Sequence, residues 1–422
     1  MPEDRATTTL SRYCDANVQS LRRETPSDLQ FRYVDLSSVN QGNIDWQKTR
    51  ALNYARSPSR ARRVVRPGDV LFSTVRPGLM GHGMVREATD LPVIASTGFA
   101  VLSPKDGTDG RFLFHALFLD EFRRRVAQFE VGSNYPAINE SDLLRVKLGA
   151  LDGPRQLFIA DVLDALNDAI VEADDLIEKL RRVHVGMIDD LLTRGLADDG
   201  SPRGSSALVE TGVGPRPPAW KVANLGRFVV GAEYGTNLSL GDSSAGIAVL
   251  RMNNIQDGEF DLSDLKYAPA HTVERFRVQR DDVLFNRTNS WEHVGKAAIW
   301  RHDEPGPAFA SYLVRLHCGD ELVPEFLHLW LNWAPVQRAI RQFATPGVQQ
   351  VNINPTNLRR AMIAVPDSLD EQRAIIERVN GVSAAIEDHR RERAKLTSLR
   401  EGLRDDLLSG RKAVAALREA AE

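Results

Sequence analysis

Cysteine is nearly absent from this 422-residue chain: Cys14 and Cys318 are the two it has, about 300 residues apart. One such pair offers neither a disulfide framework nor a zinc-ligand spacing, and a reducing cytoplasm is the expected setting. Long apolar runs are missing too, with nothing near the ~18 consecutive apolar residues of a membrane span. The opening MPEDRATTTL is charged and lacks an apolar stretch, so no secretory leader is expected. Catalytic signatures are equally scarce. There is no Gly-rich phosphate loop with a following Lys-Ser/Thr and no Gly-x-Ser-x-Gly. An Asp-Pro-Pro-Tyr-like tetrad is absent. Asn354-Pro355-Thr356-Asn357 comes nearest and has no aromatic to stack a flipped base. The nine histidines show no metal-ligand pattern. These absences together favour a binding protein over an enzyme.

What is present is a folded chain of more than one domain. Hydrophobic residues make up 42% and charged residues 26%, which is globular rather than disordered composition, and the length suggests two to four domains. The net charge of −3 is unevenly spread. Residues 1–151 carry 21 Lys/Arg against 17 Asp/Glu, whereas residues 152–200 carry 5 against 12. The acidity is local, so a globular face is free to be basic.

The chain repeats itself. Tyr33–Trp46 lines up with Val249–Leu262, placing Gly42 on Gly258 at an offset of 216. Val-Leu-Phe recurs at 70–72 and 283–285, an offset of 213. Ile94–Pro104 matches Ala308–Cys318, and Asn134–Leu143 matches Gln349–Leu358 at 215. The longest match, Leu157–Leu192 with Arg373–Leu408, reads as helix twice. Each copy ends in Asp-Asp-Leu-Leu and then meets a glycine, Gly195 or Gly410, where a helix C-cap is expected. Five matches in one order point to duplication.

Both long helices carry a 4,3 apolar spacing. The first reads Ile159, Leu163, Leu166, Ile170, Ala173, Ile177, Leu180, His184, Met187, Leu191. Adding 216 gives Ile375, Val379, Val382, Ile386, His389, Arg393, Leu396, Arg400, Leu403, Leu407 in the same phase. This is a coiled-coil seam. At 1.5 Å per residue each helix is roughly 55–60 Å long, enough to hold two domains at separate places on a duplex that advances about 34–36 Å per turn. The polar seam positions His184, His389, Arg393 and Arg400 either fix the register or mark where the seam opens to solvent. Leu196–Pro218, rich in Gly, Ser and Pro, reads as a linker or loop-rich connection.

Three places carry residues suited to nucleic acid. Arg56, Arg60, Arg62, Arg63 and Arg66 crowd ahead of the strand Val70–Ser73, which runs into a turn holding Arg76, Pro77 and Gly78. Guanidinium forks fit both phosphate and the guanine O6/N7 edge; a solvated loop without a partner would carry the same charges. In the second half the matching turn is Asn286-Arg287-Thr288-Asn289-Ser290-Trp291, where Asn suits the adenine N6/N7 edge. The third place is the loop before each helix: Gly132-Ser133-Asn134-Tyr135, and Gly347-Val348-Gln349-Gln350. Its amides and tyrosine can reach base edges or phosphates. Arg123–Arg125, on a helical segment, suits either the DNA backbone or a plain exposed face.

These residues resemble the specificity (S) subunits of type I restriction-modification enzymes along nearly the whole chain. In each half the likeness lies in the strand and turn Gly68–Arg76 or Asp281–Arg287, the Asn/Gln-rich loop, and the helix entry. Val365-Pro366-Asp367 followed by Glu371-Gln372-Arg373 is similar to the family's helix start; Gly153-Pro154-Arg155-Gln156 departs from it, with Arg for Glu. Trp220-Lys221-Val222 with Leu225-Gly226 resembles a recognition-domain start, and the first half lacks a clear copy.

The resemblance implies an α+β chain of two tandem mixed α/β target-recognition domains. Each is followed by a long helix, and the helices pair as an antiparallel coiled coil with overall pseudo-twofold symmetry. The expected divisions are 1–151 and 218–366 for the domains, 152–217 for the central helix and linker, and 367–422 for the C-terminal helix. It implies a non-catalytic reader of a bipartite, asymmetric double-stranded DNA site that docks two methyltransferase subunits and also restriction subunits. S-adenosylmethionine, ATP and Mg then belong to those partners, and this chain holds no cofactor or metal. The expected DNA contacts are Arg60, Arg62, Arg63, Arg76, Asn134, Tyr135, Asn286, Arg287, Asn289, Gln349 and Gln350. Rival readings are a guide for a solitary methyltransferase or another defence complex, a nuclease, and a protein-only scaffold.

Overall fold

The computed structural model describes residues 6–347 and 350–411. Within them the chain divides into two compact units, and both divisions fall inside the long helices. Residues 6–175 and 390–411 form one unit, and residues 176–389 the other.

The two units are built alike. In the first, a four-stranded antiparallel sheet runs in the order Cys14–Ala16, Phe99–Pro104, Val70–Ser73, Gly83–Met84. In the second, the order Val229–Tyr234, Leu313–Cys318, Val283–Asn286, Ala297–Ile299 repeats it. Val70–Ser73 and Val283–Asn286, the repeated Val-Leu-Phe strands, are central and buried at every residue, as expected for strands covered on both faces.

A second sheet in each unit contains one parallel pair. Val93–Ser96 lies parallel to Gln30–Val34, and Ala308–Phe309 lies parallel to Ile247–Leu250. The hairpin turns that follow are matched in backbone as well. Gln41-Gly42 and Asp257-Gly258 all have positive φ, the geometry of a two-residue primed turn that favours glycine.

A third small sheet closes each unit. Trp220–Asn224 pairs with Met362–Pro366. Its counterpart in the first unit is Thr7–Thr9 paired with Lys147–Gly149. The opening strand of which the first half's sequence shows no clear copy is therefore present. The Leu10 N–H donates to the Val146 carbonyl just as that of Leu225 donates to Ala361. A polar strand of three threonines hid it.

The long helices span Gly153–Arg194 and Leu369–Leu408. Gly195 and Gly410 follow in the left-handed conformation, with φ of +61° and +67°. All twenty seam positions are buried or half-buried. In the first unit the pairing is antiparallel: from Asn167–Arg400 (2.9 Å) to Asp174–Arg393 (3.1 Å), one number rises by seven as the other falls by seven. In the second unit His184 meets Ser383 at 3.0 Å and the Leu196 N–H donates to Glu371 at 2.9 Å, again antiparallel. The polar seam residues His184, Arg393 and Arg400 thus bond across the helix pair and set its register.

Each helix is anchored to its domain by the same device. Gln156 and Gln372, both buried, accept from the backbone N–H of Asp109 and Val323 and donate to the carbonyls of Leu151 and Pro366. Where the helix starts differ, so do the contacts. Glu371 binds Arg203 and the Trp220 indole, whereas Arg155 pairs with Asp152. The first helix carries its own ionic anchor. Asp164 accepts two bonds from Arg86 and one from His115, all 2.8 Å. Burial opposes its charge, and these partners overcome that, holding the carboxyl well below the usual carboxylate range.

The Gly/Ser/Pro-rich segment after the first helix packs on the second unit. Arg216 is buried, with its guanidinium over the rings of Trp330 and Trp333. Among the described residues no helix is long and apolar enough to cross a membrane.

Candidate nucleic-acid interface

In the first unit the buried strand Val70–Ser73 delivers the chain to Thr74–Arg76. There it meets the loop before the helix. The Ile138 N–H donates to the Thr74 carbonyl (3.0 Å), the Arg76 N–H to the Pro136 carbonyl (2.7 Å), and Val75 bridges Ala137. Two candidate segments some sixty residues apart are thereby joined. Arg76 has φ +48°, a left-handed conformation that costs a non-glycine residue about 1 kcal/mol or more, and the bridge holds it there. Its guanidinium lies 4.3 Å over the Tyr135 ring and 3.4 Å from the Asn134 carbonyl. Tyr135 is 70% exposed. Stacking fixes the plane of the fork and leaves its outer edge open to an acceptor. Gly132 starts this loop at φ +99°, where a Cβ would lie 3.1 Å from the Tyr135 carbonyl.

The arginine-rich stretch does not act as one surface. Arg60 is exposed, and its carbonyl accepts from Thr97 next to Gly98, to which Thr74 also bonds. Arg62 lies 5.3 Å over the Tyr54 ring. Arg63 donates to Glu140 (2.5 Å) and Ser20 (3.3 Å), so its charge is committed to the fold. Arg66 bonds Gln19. Arg123 and Arg125 pair with Asp120 and Glu121 of their own helix.

Beneath the turn sits His82. It stacks on Phe72 at 4.3 Å and accepts the Ser73 N–H on Nδ1. Burial pushes its pKa down to about 3, so the ring stays neutral and serves as a structural acceptor.

In the second unit the join becomes a three-stranded sheet, Thr288–Asn289, Val351–Ile353 and Ala344–Pro346. The Ile353 N–H donates to the Arg287 carbonyl at 2.8 Å. This is the bond that Ile138 makes to Thr74, so Arg287 stands where Thr74 stands, and Asn289 stands where Arg76 does. The two turn arginines are therefore not equivalent, in keeping with the offset of 213 at Val-Leu-Phe, which also sets Thr74 on Arg287 and Arg76 on Asn289. The Arg287 guanidinium lies 5.1 Å over the Tyr234 ring and 3.4 Å from the Ser311 carbonyl. Asn289 is half-buried and accepts from the Ser290 N–H.

Asn286 moves from reader to core residue. It is 0% exposed, with its amide nitrogen on the Met252 carbonyl at 3.1 Å, and a side chain sealed in a strand presents nothing to a base edge. Gln350 is half-buried, 3.8 Å from the Met252 sulfur. Gln349 lies outside the described residues.

The structure thus brings together Arg76, Asn134 and Tyr135 in one unit, and Arg287, Asn289 and Gln350 in the other. Tyr234 and Tyr312 escaped sequence reading. Tyr312 is exposed, and its carbonyl accepts the Arg287 N–H. The one available signal was an aromatic at a strand end before Gly235. Among the described residues no three His, Cys, Asp or Glu side chains converge as metal ligands do.

No protein-family model matches the chain. Among curated proteins it is similar to the type I restriction enzyme EcoKI specificity subunit of Escherichia coli K12. The two are 20% identical over 345 residues, covering 76% of this chain and 72% of that protein. The MjaVIII specificity subunit of Methanocaldococcus jannaschii is 21% identical over 326 residues, 76% of this chain and 74% of its own length. Matches of higher identity, such as the Escherichia coli EcoBI specificity subunit at 26%, are shorter, and the chain covers 40–43% of those relatives.

Among solved structures, a chain from work on complex assembly and conformational transition of the type I R-M system superposes with a TM-score of 0.61. It is 21% identical, and 97% of this chain and 99% of that one are covered. The type I S subunit of M. genitalium gives 0.55 at 13% identity, with 97% of each chain covered. The chain is a homologue of type I restriction enzyme specificity subunits, the family its sequence resembles, and it shares their fold.

Proposed function

We propose that the chain is the DNA sequence-recognition subunit of a type I restriction-modification complex. Each unit reads one half of a split, asymmetric duplex site. The paired helices set the unread spacer and dock two methyltransferase subunits, with restriction subunits joining the same assembly. The chain contributes no catalytic group and works in the cytoplasm; S-adenosylmethionine, ATP and Mg belong to its partners.

One observation carries this reading. The same scaffold, a buried Val-Leu-Phe strand joined to the loop before the helix, presents different side chains in the two units: Arg76 on Tyr135 in one, Arg287 on Tyr234 with Asn289 in the other. Retained framework with altered tips is what two readers of different sequences require. Tethering both on one helix pair makes the second binding event intramolecular, so two modest half-sites add up to useful affinity.

Methylome sequencing of a host with and without this gene tests it. The expected result is a bipartite methylated motif that disappears with the gene. An unchanged methylome, or DNA cleavage by the purified chain alone, would defeat the proposal.

A further inference from the structure

In the second unit a groove of about 650 Å³ opens beside Arg287, lined by Tyr234, Asn237, Thr272, Arg275 and Ser311 among others. It is continuous with the candidate reading turn, because Tyr234 carries the Arg287 guanidinium on its ring and the Ser311 carbonyl faces Arg287 Nη1. Its lining holds one cation, four hydroxyl-bearing side chains and an amide, and no carboxylate. Two other open grooves differ in this respect. One is lined by Glu87 and Asp90, the other by Asp69. Arg275 is exposed at the end of a short helical segment, and its guanidinium lies 4.4 Å over the ring of Phe276, which also lines the groove. A single guanidinium with neutral donors around it, free of acidic competition, is the chemistry that holds a phosphodiester.

We propose that this groove takes the sugar–phosphate backbone of the half-site read by the second unit, with a phosphate on Arg275 and flanking bonds from Asn237 and Thr272. The proposal rests on the DNA-reading function above and extends it to residues outside the reading turns. It separates the two tasks of the unit: Arg287 and Asn289 face the bases, and the Arg275 groove fixes the strand that presents them.

The test uses the full chain in complex with its methyltransferase subunits. The probes are a duplex bearing the methylated motif and an unrelated duplex of the same length, titrated across salt concentrations. Arg275→Gln removes the cation, and Asn237→Asp places a carboxylate in the groove. Both positions are on the surface, and thermal unfolding confirms that each variant stays folded. Each variant is expected to weaken both duplexes by a similar factor, about 5–30-fold at low salt. Loss of one phosphate contact lowers the slope of log K against log salt by about 0.9, with the preference for the motif unchanged.

Unchanged affinity and slope in both variants overturn the groove assignment, as does a loss confined to the motif duplex, which would make Arg275 a base reader. Adenosine monophosphate serves as a free-nucleotide probe. If it binds in an Arg275-dependent manner while duplex binding ignores both variants, the groove is a nucleotide site instead. If the unmodified complex shows no preference for any duplex, the DNA-reading function itself fails, and that outcome is distinct from all of these.

Discussion

Arg76 is a left-handed residue stacked on an exposed tyrosine, and such an arrangement holds a guanidinium in position for a partner rather than for the fold. Tyr135→Ala is expected to free the fork without touching the core. Recognition of one half-site then falls by about 2–5-fold, in keeping with a stacking energy of about 0.5–1 kcal/mol, while the other half-site is read as before. Binding to duplexes mutated in each half separately checks this; equal loss in both halves rules it out.

Asn286 predicts the opposite pattern. Asn286→Ala leaves the Met252 carbonyl short of a donor and should lower stability by about 1–3 kcal/mol with sequence preference intact. A melting curve and a binding profile distinguish these outcomes. The misplacement of Asn286 has a physical origin. Alternate residues of a strand face opposite ways, but Val283–Asn286 is buried at every residue, because one face packs with Phe326 and Trp330 and the other with Leu250 and Phe309. Those partners arrive from elsewhere in the chain. The chemistry of Arg76, Asn134 and Tyr135 was legible from residue type; their meeting, and the place of Tyr234, were not.

Histidine supplies a pH dependence. Burial pushes His82 down to about 3 and His328 to about 4. Each is neutral when folded and titrates near 6.5 when unfolded. Above that value neither state binds the proton. Below it the unfolded chain takes up protons that the folded one refuses, so stability falls on acidification from about pH 6.5 toward pH 4. The slope is up to about 1.4 kcal/mol per pH unit for each ring. Thermal unfolding between pH 7.5 and 5 should show this decline, and His82→Gln should flatten it. A melting temperature insensitive to pH in that window contradicts buried neutral rings.

At the scale of elements, the long helices were the most legible part of the chain. Their seam is a local spacing, and both stop at glycines that the following turn requires. The seam residues are buried or half-buried, so truncation is costly: Leu163→Ala or Ile375→Ala, both fully buried, should cost about 2–5 kcal/mol, read by chemical denaturation. Arg400→Ala is milder in energy, because it removes one bond to Asn167, but it takes away a register mark. The strands were legible as strands where they are apolar. Thr7–Thr9 escaped because its pairing with Lys147–Gly149, rather than its composition, makes it a strand. The order of strands in each sheet was not legible, since every neighbour comes from a distant segment and loop closure leaves no trace in local pattern.

At the scale of the whole molecule, duplication is what sequence and structure share most fully. Offsets of 213 to 216 became matched strand orders, matched parallel pairs and matched turn conformations. At the turn tips the offset of 213 still holds in the hydrogen bonds, and the residues differ: Thr74 and Arg76 stand where Arg287 and Asn289 do. Exchanging residues 74–76 for 287–289 tests the equivalence as the hydrogen bonds define it. The graft is expected to fold and to alter one half of the recognised motif; retention of both original halves would show that these turns do not read DNA.

Because the first unit is closed by the last turns of the second long helix, it is not finished when its own strands have left the ribosome. Leu407 and Leu408 lie in the same buried cluster as Leu10, Phe112 and Leu163, yet more than 200 residues of synthesis separate them from the end of the first unit's leading segment at residue 175. At about 5–20 residues per second, that cleft waits unsealed for roughly ten to forty seconds. A premature stop before Leu403 should therefore injure the end of the protein made first. Limited proteolysis of such a truncated chain is expected to cut within residues 6–175, while the second unit, whose helix partners are already made, resists.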